Sequence, residues 1–491
     1  MSRSALLSCK RFYEGDTMES VADVVIIGAG TGGLSTVRQV MKWTENFLVI
    51  DTGPLGTKCA RVGCMPSKTF LHAANEYHRR KNFSEEGIIG SGSFSCDIPA
   101  VLRHVRTLRD RFAGSMVEVT RQLAGDRLLE GRAFFLGPQR LQVGEQIIEA
   151  KRIVLATGAR PVVPQKWLEF GEKILTSQTL FDQEDLPSRI ALIGLGAIGL
   201  ELGQAISRLG VEVTGFSLEK TIAGLADPEV KEAAIQAIGQ EFPIHLGEPA
   251  EIRETDDGLE VKAGEAVAVA DKILVAMGVR PNVDDMGLET LGFEVDDRGL
   301  LPYDPQTSRV GDLPLYIAGD VNGDRAILHE AADEGFIAGR NANTQNTTKA
   351  YCRRTPLRIV FSDPQIAVVG VPYQDLDQET VVIGEIDYTK QARAILEGRN
   401  QGKLRLYADR LSGRLLGCEM AAPDAEHLGH LLSLAIHRES TVFDLLQMPF
   451  YHPTLEEGLE TALHDVAQKV QMAGRPEQLA LCQSRAEDTL F

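Results

Sequence analysis

Residues 23–51, DVVIIGAGTGGLSTVRQVMKWTENFLVID, and residues 189–217, RIALIGLGAIGLELGQAISRLGVEVTGFS, are two copies of one plan. Each opens on a short β-branched strand, turns on glycines, runs on as a helical stretch and closes on a second strand. The turns carry the spacing G-x-G-x-x-G, as Gly28, Gly30 and Gly33 in the first copy and Gly194, Gly196 and Gly199 in the second. Glycine is needed there because the backbone must turn tightly, come close to a pyrophosphate and let a helix pack against a strand, with the helix N-terminus facing the phosphates. One such match alone is weak; a match that follows VVII or IALI and opens a helix has the context that the motif requires. The pair predicts two Rossmann-like folds and two dinucleotides. Asp51, about 20 residues beyond the glycines and at the end of the second strand, is the candidate ribose acid. In the second copy that place belongs to Ser217, which makes the cofactor preference of that fold harder to read.

Two further strand-plus-glycine segments, RIVLATGARP with Gly158 and DKILVAMGVRPN with Gly278, bracket the second copy. They mark where the second fold is inserted into the first. Farther on, LPLYIAGDVNG reads as a buried strand ending in Gly319 and Asp320, and an acid at a strand's carboxyl end points into the ligand crevice of such a sheet. From about Tyr351 the pattern changes to antiparallel strands, with a turn at Asp409 to Gly413, followed by the helical run DAEHLGHLLSLAIHRES. A chain of 491 residues has room for about three domains. The expected architecture is therefore α/β: a first nucleotide-binding domain over 18–157 and 281–350, a second over 158–280 inserted in it, and a C-terminal α+β domain over 351–465. Residues 1–17 and 466–491 are terminal extensions.

A formal charge of −18 argues against nucleic-acid binding, which needs a basic surface. No apolar run approaches the about 18 residues that span a bilayer, and the opening MSRSALLSCKRFYEGD is too weakly hydrophobic for a signal peptide, so the cytoplasm is the expected location. Seven cysteines scattered along a long chain do not make a secreted disulfide framework.

Two of them, Cys59 and Cys64, stand in GTKCARVGCMPSK with four residues between. Zinc sites pair cysteines more closely and need a second half, and none follows; no metal is expected. In a regular helix residues five apart have Cα atoms roughly 8.6 Å apart, beyond the about 7 Å that a disulfide spans. Cys59 must then precede the helix, or the turn must distort, and Gly63 offers that freedom. A short bridge of this kind is strained and readily reduced, which in a reducing compartment reads better as a redox pair than as a staple. Two unconnected core thiols are the bland alternative.

From Asp23 to about residue 465 the chain resembles the flavin-dependent pyridine nucleotide-disulfide oxidoreductases, and most closely their dihydrolipoamide dehydrogenase branch. The resemblance rests on the cysteine segment ending PSK, both glycine fingerprints, GLGAIGLE, AGDVNG, LHEAADEG, DPQIAVVG and FYHPTLEEG, in that family's order. It implies a homodimer that binds FAD on the first fold, through Gly28, Gly30, Gly33, Asp51, Gly158 and Asp320. NAD would lie on the second, through Gly194, Gly196, Gly199, Ser217 and Gly278. Cys59 matches the thiol that exchanges with substrate, and Cys64 the thiol that faces the flavin. Lys68 matches the lysine near the flavin and Glu201 its ion-pair partner. His452 and Glu457 match the His-Pro-Thr-x-x-Glu element that reaches the other subunit's dithiol, where a base is needed because thiols of pKa about 8.5 attack only as thiolates. The implied reaction passes electrons from dihydrolipoamide through the Cys59–Cys64 disulfide and FAD to NAD⁺. The dithiol is a small molecule, or a lipoyl group borne on another protein.

Several positions depart from that pattern. Thr57-Lys58 replaces the usual glycine-threonine pair, and Arg61 stands where asparagine is usual; a cation there is expected to acidify Cys59 if it points inward. Ser217, Glu219 and Lys220 favour NAD, because no arginine is near to hold a 2′-phosphate, while Lys220 leaves NADP open. The competing readings are an NAD(P)H-dependent reductase of the glutathione or mercuric type and a non-catalytic flavoprotein scaffold or sensor. Against the mercuric type, the tail carries only Cys482 and position 452 is histidine.

Overall fold

A computed structural model describes residues 11–13, 18–293, 295–343, 347–472 and 479. Most of the leader and the tail with Cys482 lie outside the described residues. The chain folds into two compact units.

The first unit gathers residues 1–70, 97–185 and 277–353. Its sheet is built on parallel strands in the order Leu128–Glu130, Phe47–Asp51, Met18–Ile27, Gln146–Leu155 and Leu315–Ile317. The run VVII is apolar at every position because both faces are covered. Val24 and Ile26 join a core with Val37, Val40 and Ala338, whereas Val25 and Ile27 join a second core with Ile153, Leu155 and Ile317. The strand Gln146–Leu155 divides its pairing: its first half takes the antiparallel strand Arg140–Val143, and its second half takes Leu315–Ile317 in parallel. Helix Thr31–Val40 lies against helix Leu328–Asn341, where Thr36 Oγ1 donates to the Gly335 carbonyl at 3.2 Å. The two segments with Gly158 and Gly278 run side by side as a ribbon, Ala159–Pro161 antiparallel to Val279–Pro281.

The second unit gathers residues 71–96, 186–276 and 354–491. Strands Ile244–Leu246, Glu212–Ser217, Arg189–Ile193 and Lys272–Val275 run parallel in that order. A meander of Glu251–Thr255, Gly258–Ala263 and Ala266–Ala270 follows the same nucleotide fold. Beyond it, five antiparallel strands in the order Leu357–Val360, Gln365–Gly370, Leu415–Ala422, Lys403–Asp409 and Val381–Asp387 form the C-terminal sheet. Helices Ala425–His437 and Glu456–Lys469 share its buried core. The turn at Asp409 is closed by its own carboxylate, which accepts from the backbone N–H groups of Leu411 and Ser412.

Residues 186–276 and 354 onward form one compact unit, where the sequence pattern separates them at residue 351. A buried polar cluster joins them. The Asp227 carboxylate accepts from Arg405 Nη1 at 2.9 and 3.0 Å and from the Tyr407 hydroxyl at 2.9 Å. Glu419, equally buried, accepts from the N–H groups of Ala226, Asp227 and Tyr373. No helix among the described residues is long and apolar enough to cross a membrane.

Candidate active site and nucleotide cradles

The two glycine fingerprints adopt one geometry. Gly30 caps its helix at φ −75°, ψ −173°, and Gly196 caps the other at φ −73°, ψ −170°; neither cap has a side-chain hydrogen bond. The third glycines carry the close packing. A Cβ on Gly33 would stand 1.9 Å from the Gly28 carbonyl oxygen, and one on Gly199 would stand 1.9 Å from that of Gly194. The middle glycines face space: a Cβ at Gly30 or Gly196 would meet no protein atom within 4 Å. Each turn thus presents bare N–H groups of a helix N-terminus beside a gap, which is the shape a diphosphate fills.

In the first fold Asp51 sits at the strand end and accepts from the N–H groups of Ala29 at 2.6 Å and Gly53 at 2.7 Å, which orients its carboxylate beside the turn. Gly28, Asp51, Thr157, Arg132 and Asn282 line a cavity of ≈ 570 Å³, a size within the range of small-ligand sites. The residues present fit a dinucleotide: a glycine gap for the diphosphate, a strand-end acid for the ribose and an adjoining cavity. In the second fold the Ser217 hydroxyl accepts from the Glu219 N–H at 3.2 Å. The methylene chain of Lys220 lies along Gly247, whose Cβ would be 3.3 Å from its Cγ. Gly158 and Gly278 stand at φ +68° and +95° in the ribbon of the first unit, with open space where a Cβ would be.

Cys59 lies in the short helix Lys58–Val62 and Cys64 opens the next, Cys64–Arg79. Between them Gly63 breaks the helix at φ −118°, ψ −116°, which shortens the separation that an unbroken helix imposes. Cys59 is half-buried and Cys64 exposed. They are nonetheless in contact. The hydrogen bond with Cys64 pushes the Cys59 thiol well up from its ordinary value, burial adds to this, and the charge of Lys68 acts the other way. The charge of Lys68 favours the Cys59 thiolate. The stem of Arg61 packs toward Gly56, whose Cβ would lie 3.4 Å from its Cδ. No group of three metal-ligating side chains occurs among the described residues.

Asp320 follows the strand Leu315–Ile317 and receives Lys58 Nζ at 3.3 Å. Sequence spacing gave no sign of this pair. Nearby, Glu334 is fully buried and accepts from the Gly319 N–H at 2.7 Å and from Arg353 at 2.8 Å. Burial raises its carboxyl above the usual range, although these two partners oppose the shift.

In the second unit Glu201 is buried and accepts from the Phe361 N–H at 3.0 Å. His452 Nδ1 lies 2.9 Å from Glu457 Oε1, and Glu457 Oε2 accepts from the Thr454 N–H at 3.0 Å. The bond to His452, with that to Thr454, holds the Glu457 carboxyl below its ordinary value. The imidazole is 75% exposed, so its Nε2 edge is open to a substrate.

Two family descriptions match the chain: pyridine nucleotide-disulphide oxidoreductase over residues 22–335, and the dimerisation domain of the same family over residues 357–463. Among curated proteins, a dihydrolipoyl dehydrogenase of Thermus scotoductus is 32% identical over 459 residues, covering 90% of this chain and 96% of that one. One of Haloferax volcanii is 30% identical, covering 92% and 98%. Among solved structures, the HOCl-induced flavoprotein disulfide reductase RclA from Escherichia coli, as its Cu(II) complex, superposes with a TM-score of 0.78 at 20% identity, over 91% of this chain and 99% of that one. LpdA from Mycobacterium tuberculosis superposes with a TM-score of 0.77 at 24% identity, over 90% and 99%.

Proposed function

Because the chain belongs to the pyridine nucleotide-disulphide oxidoreductase family, we propose that it oxidises a dithiol of the dihydrolipoamide class through Cys59 and Cys64, with NAD⁺ as the final acceptor. It is an oxidoreductase acting on sulfur that uses FAD and NAD(H), and its dimerisation domain makes the assembly a homodimer. FAD, when bound, supplies the two-electron chemistry that links a dithiol to a nicotinamide and that side chains lack.

The observation that carries the reading is the His452–Glu457 contact beside a free Nε2. In the tautomer that directs an Nδ1 proton at Glu457, an imidazole keeps an acceptor lone pair on Nε2. That atom takes the proton of a substrate thiol, and Glu457 stabilises the imidazolium that results. In the homodimer the imidazole serves the dithiol of the opposite subunit. The substrate thiolate attacks Cys59 sulfur of the oxidised pair, the Cys59–Cys64 bond breaks and Cys64 leaves as a thiolate. The second substrate thiolate then displaces Cys59, closing the substrate disulfide and leaving the dithiol form. The charge of Lys68 opposes the rise in the Cys59 thiol that its contact with Cys64 and burial produce. Glu201 acts as a support for the flavin side, and Asp51 and Asp320 as the acids that take ribose and ribityl hydroxyls.

Steady-state rates with dihydrolipoamide, oxidised glutathione and mercuric ion, each with NAD and NADP, test the substrate. Dihydrolipoamide with NAD⁺ should give the highest kcat/KM, and Cys64→Ser should abolish turnover. Faster reduction of glutathione disulfide or mercuric ion would overturn the lipoyl assignment and leave the family chemistry standing. Anaerobic NADH should also raise long-wavelength thiolate-to-flavin absorbance that Cys64→Ser removes; an unchanged spectrum would point to a scaffold.

A further inference from the structure

Lys58 begins the helix that carries Cys59, and it is held there by an unusual piece of backbone. Thr57 before it stands at φ +57°, ψ +146°, a conformation that a β-branched residue adopts only under constraint from its surroundings. The constraint is visible: Thr57 is buried, and its hydroxyl accepts from the Ala60 N–H at 3.3 Å, capping the redox helix. The turn so made aims Lys58 at the carboxyl end of the first sheet, where its Nζ lies 3.3 Å from Asp320 Oδ2. Asp320 is itself beside the first fingerprint helix. A Cβ on Gly32 would stand 3.0 Å from the Ala318 carbonyl oxygen, and one on Gly319 would stand 4.0 Å from the Gly32 Cα. An ammonium, a carboxylate and the uncapped N-terminus of helix Thr31–Val40 thus share one corner of the first unit.

Resting on the FAD reading above, we propose that Lys58 is a cofactor-binding cation of this chain, drawn to the diphosphate of FAD. In the structure its charge is paired with Asp320. A bound diphosphate brings two negative charges to the same corner, and Lys58 serves it as the positive partner while Asp320 turns to a ribityl hydroxyl. The helix N-terminus offers partial charge and N–H groups; Lys58 adds a full charge, so flavin retention becomes sensitive to salt.

The test is release of FAD from the purified full-length holoenzyme, followed by the fluorescence of freed flavin across a salt series. Lys58→Met should bind FAD about 10- to 100-fold more weakly, the loss of one charge-assisted hydrogen bond, and its release should depend less on salt than that of the wild type. Lys58→Arg should restore both the affinity and the salt response, which separates a charge effect from damage to the fold. Unchanged affinity in Lys58→Met, or a weaker affinity with the wild-type salt response, overturns the inference. A wild-type protein that takes up no FAD would sink the FAD reading itself.

Discussion

Substitution of Gly196 by alanine should separate nucleotide binding from folding in the second unit. The Gly196 backbone, at φ −73°, ψ −170°, is open to any residue, and an added Cβ meets no protein atom within 4 Å. Replacing a glycine helix cap by alanine costs about 0.5–1 kcal/mol of stability. The same methyl occupies the gap that a diphosphate needs and blocks the N–H groups at the helix start. Loss of one or two hydrogen bonds to a charged group, at about 1.5–3 kcal/mol each, sums to about 3 kcal/mol, or roughly 150-fold in affinity. Gly199→Ala should behave in the opposite way, because its Cβ would lie 1.9 Å from the Gly194 carbonyl oxygen and must push the helix off the strand. That costs about 1–3 kcal/mol or more in stability. Calorimetric NAD⁺ binding to the FAD-loaded enzyme and urea unfolding measure the two quantities on the same samples. A Gly196→Ala protein that binds NAD⁺ like the wild type, or a Gly199→Ala protein of wild-type stability, would show that the second fingerprint is only a tight turn.

Glu457→Gln, which keeps the shape but removes the charge that faces His452 at 2.9 Å, should slow dithiol oxidation by about 10²-fold while NADH reduces the flavin at the wild-type rate; equal slowing of both half-reactions would remove the acid–base role. His78, whose imidazole is pushed down to about 4 by burial first and then by Arg208, with Glu241 and Asp363 opposing, binds its proton more readily when unfolded. Stability should therefore be full above about pH 6.5 and fall as the pH drops toward 4, by up to about 3 kcal/mol, and urea midpoints of His78→Gln that parallel the wild type over that range would count against it. Arg405→Met strands the fully buried Asp227 carboxylate, so thermal or urea unfolding should show a loss of about 3–5 kcal/mol; a loss below about 1 kcal/mol would mean that Tyr407 and the helix N–H groups suffice.

What could be read in advance was local. The fingerprints are legible because each demand on the chain, a tight turn, a gap and a close approach, falls on one residue type within six positions, and the structure meets those demands at Gly28, Gly30 and Gly33 and again at Gly194, Gly196 and Gly199. The runs VVII and IALI are legible as strands because both faces are buried and no polar alternation interrupts them. The union of the second nucleotide fold with the C-terminal sheet was not legible. It rests on Asp227 meeting Arg405 and Tyr407 at separations of 178 and 180 residues, and no local pattern encodes such a meeting. The Lys58–Asp320 pair, 262 residues apart, escaped for the same reason.

Arg61 is expected to acidify Cys59 only if it points inward, and helical spacing bears on that condition. Within a helix, residues two apart lie on nearly opposite faces, while residues four apart stack on one face. Arg61 is two beyond Cys59 and is turned toward Gly56, whereas Lys68 is four beyond Cys64, on the face of the thiol that Cys59 contacts. Proximity in sequence leaves either cation a candidate, whereas helical face favours the lysine. The break at Gly63 lets Cys59, on one short helix, reach Cys64 in the first turn of the next and feel the charge of Lys68. Lys68→Met should then slow alkylation of the reduced pair near neutral pH by about tenfold, for one pKa unit of lost charge, and Arg61→Asn should leave it unchanged. The reverse pattern would put the controlling charge back on Arg61.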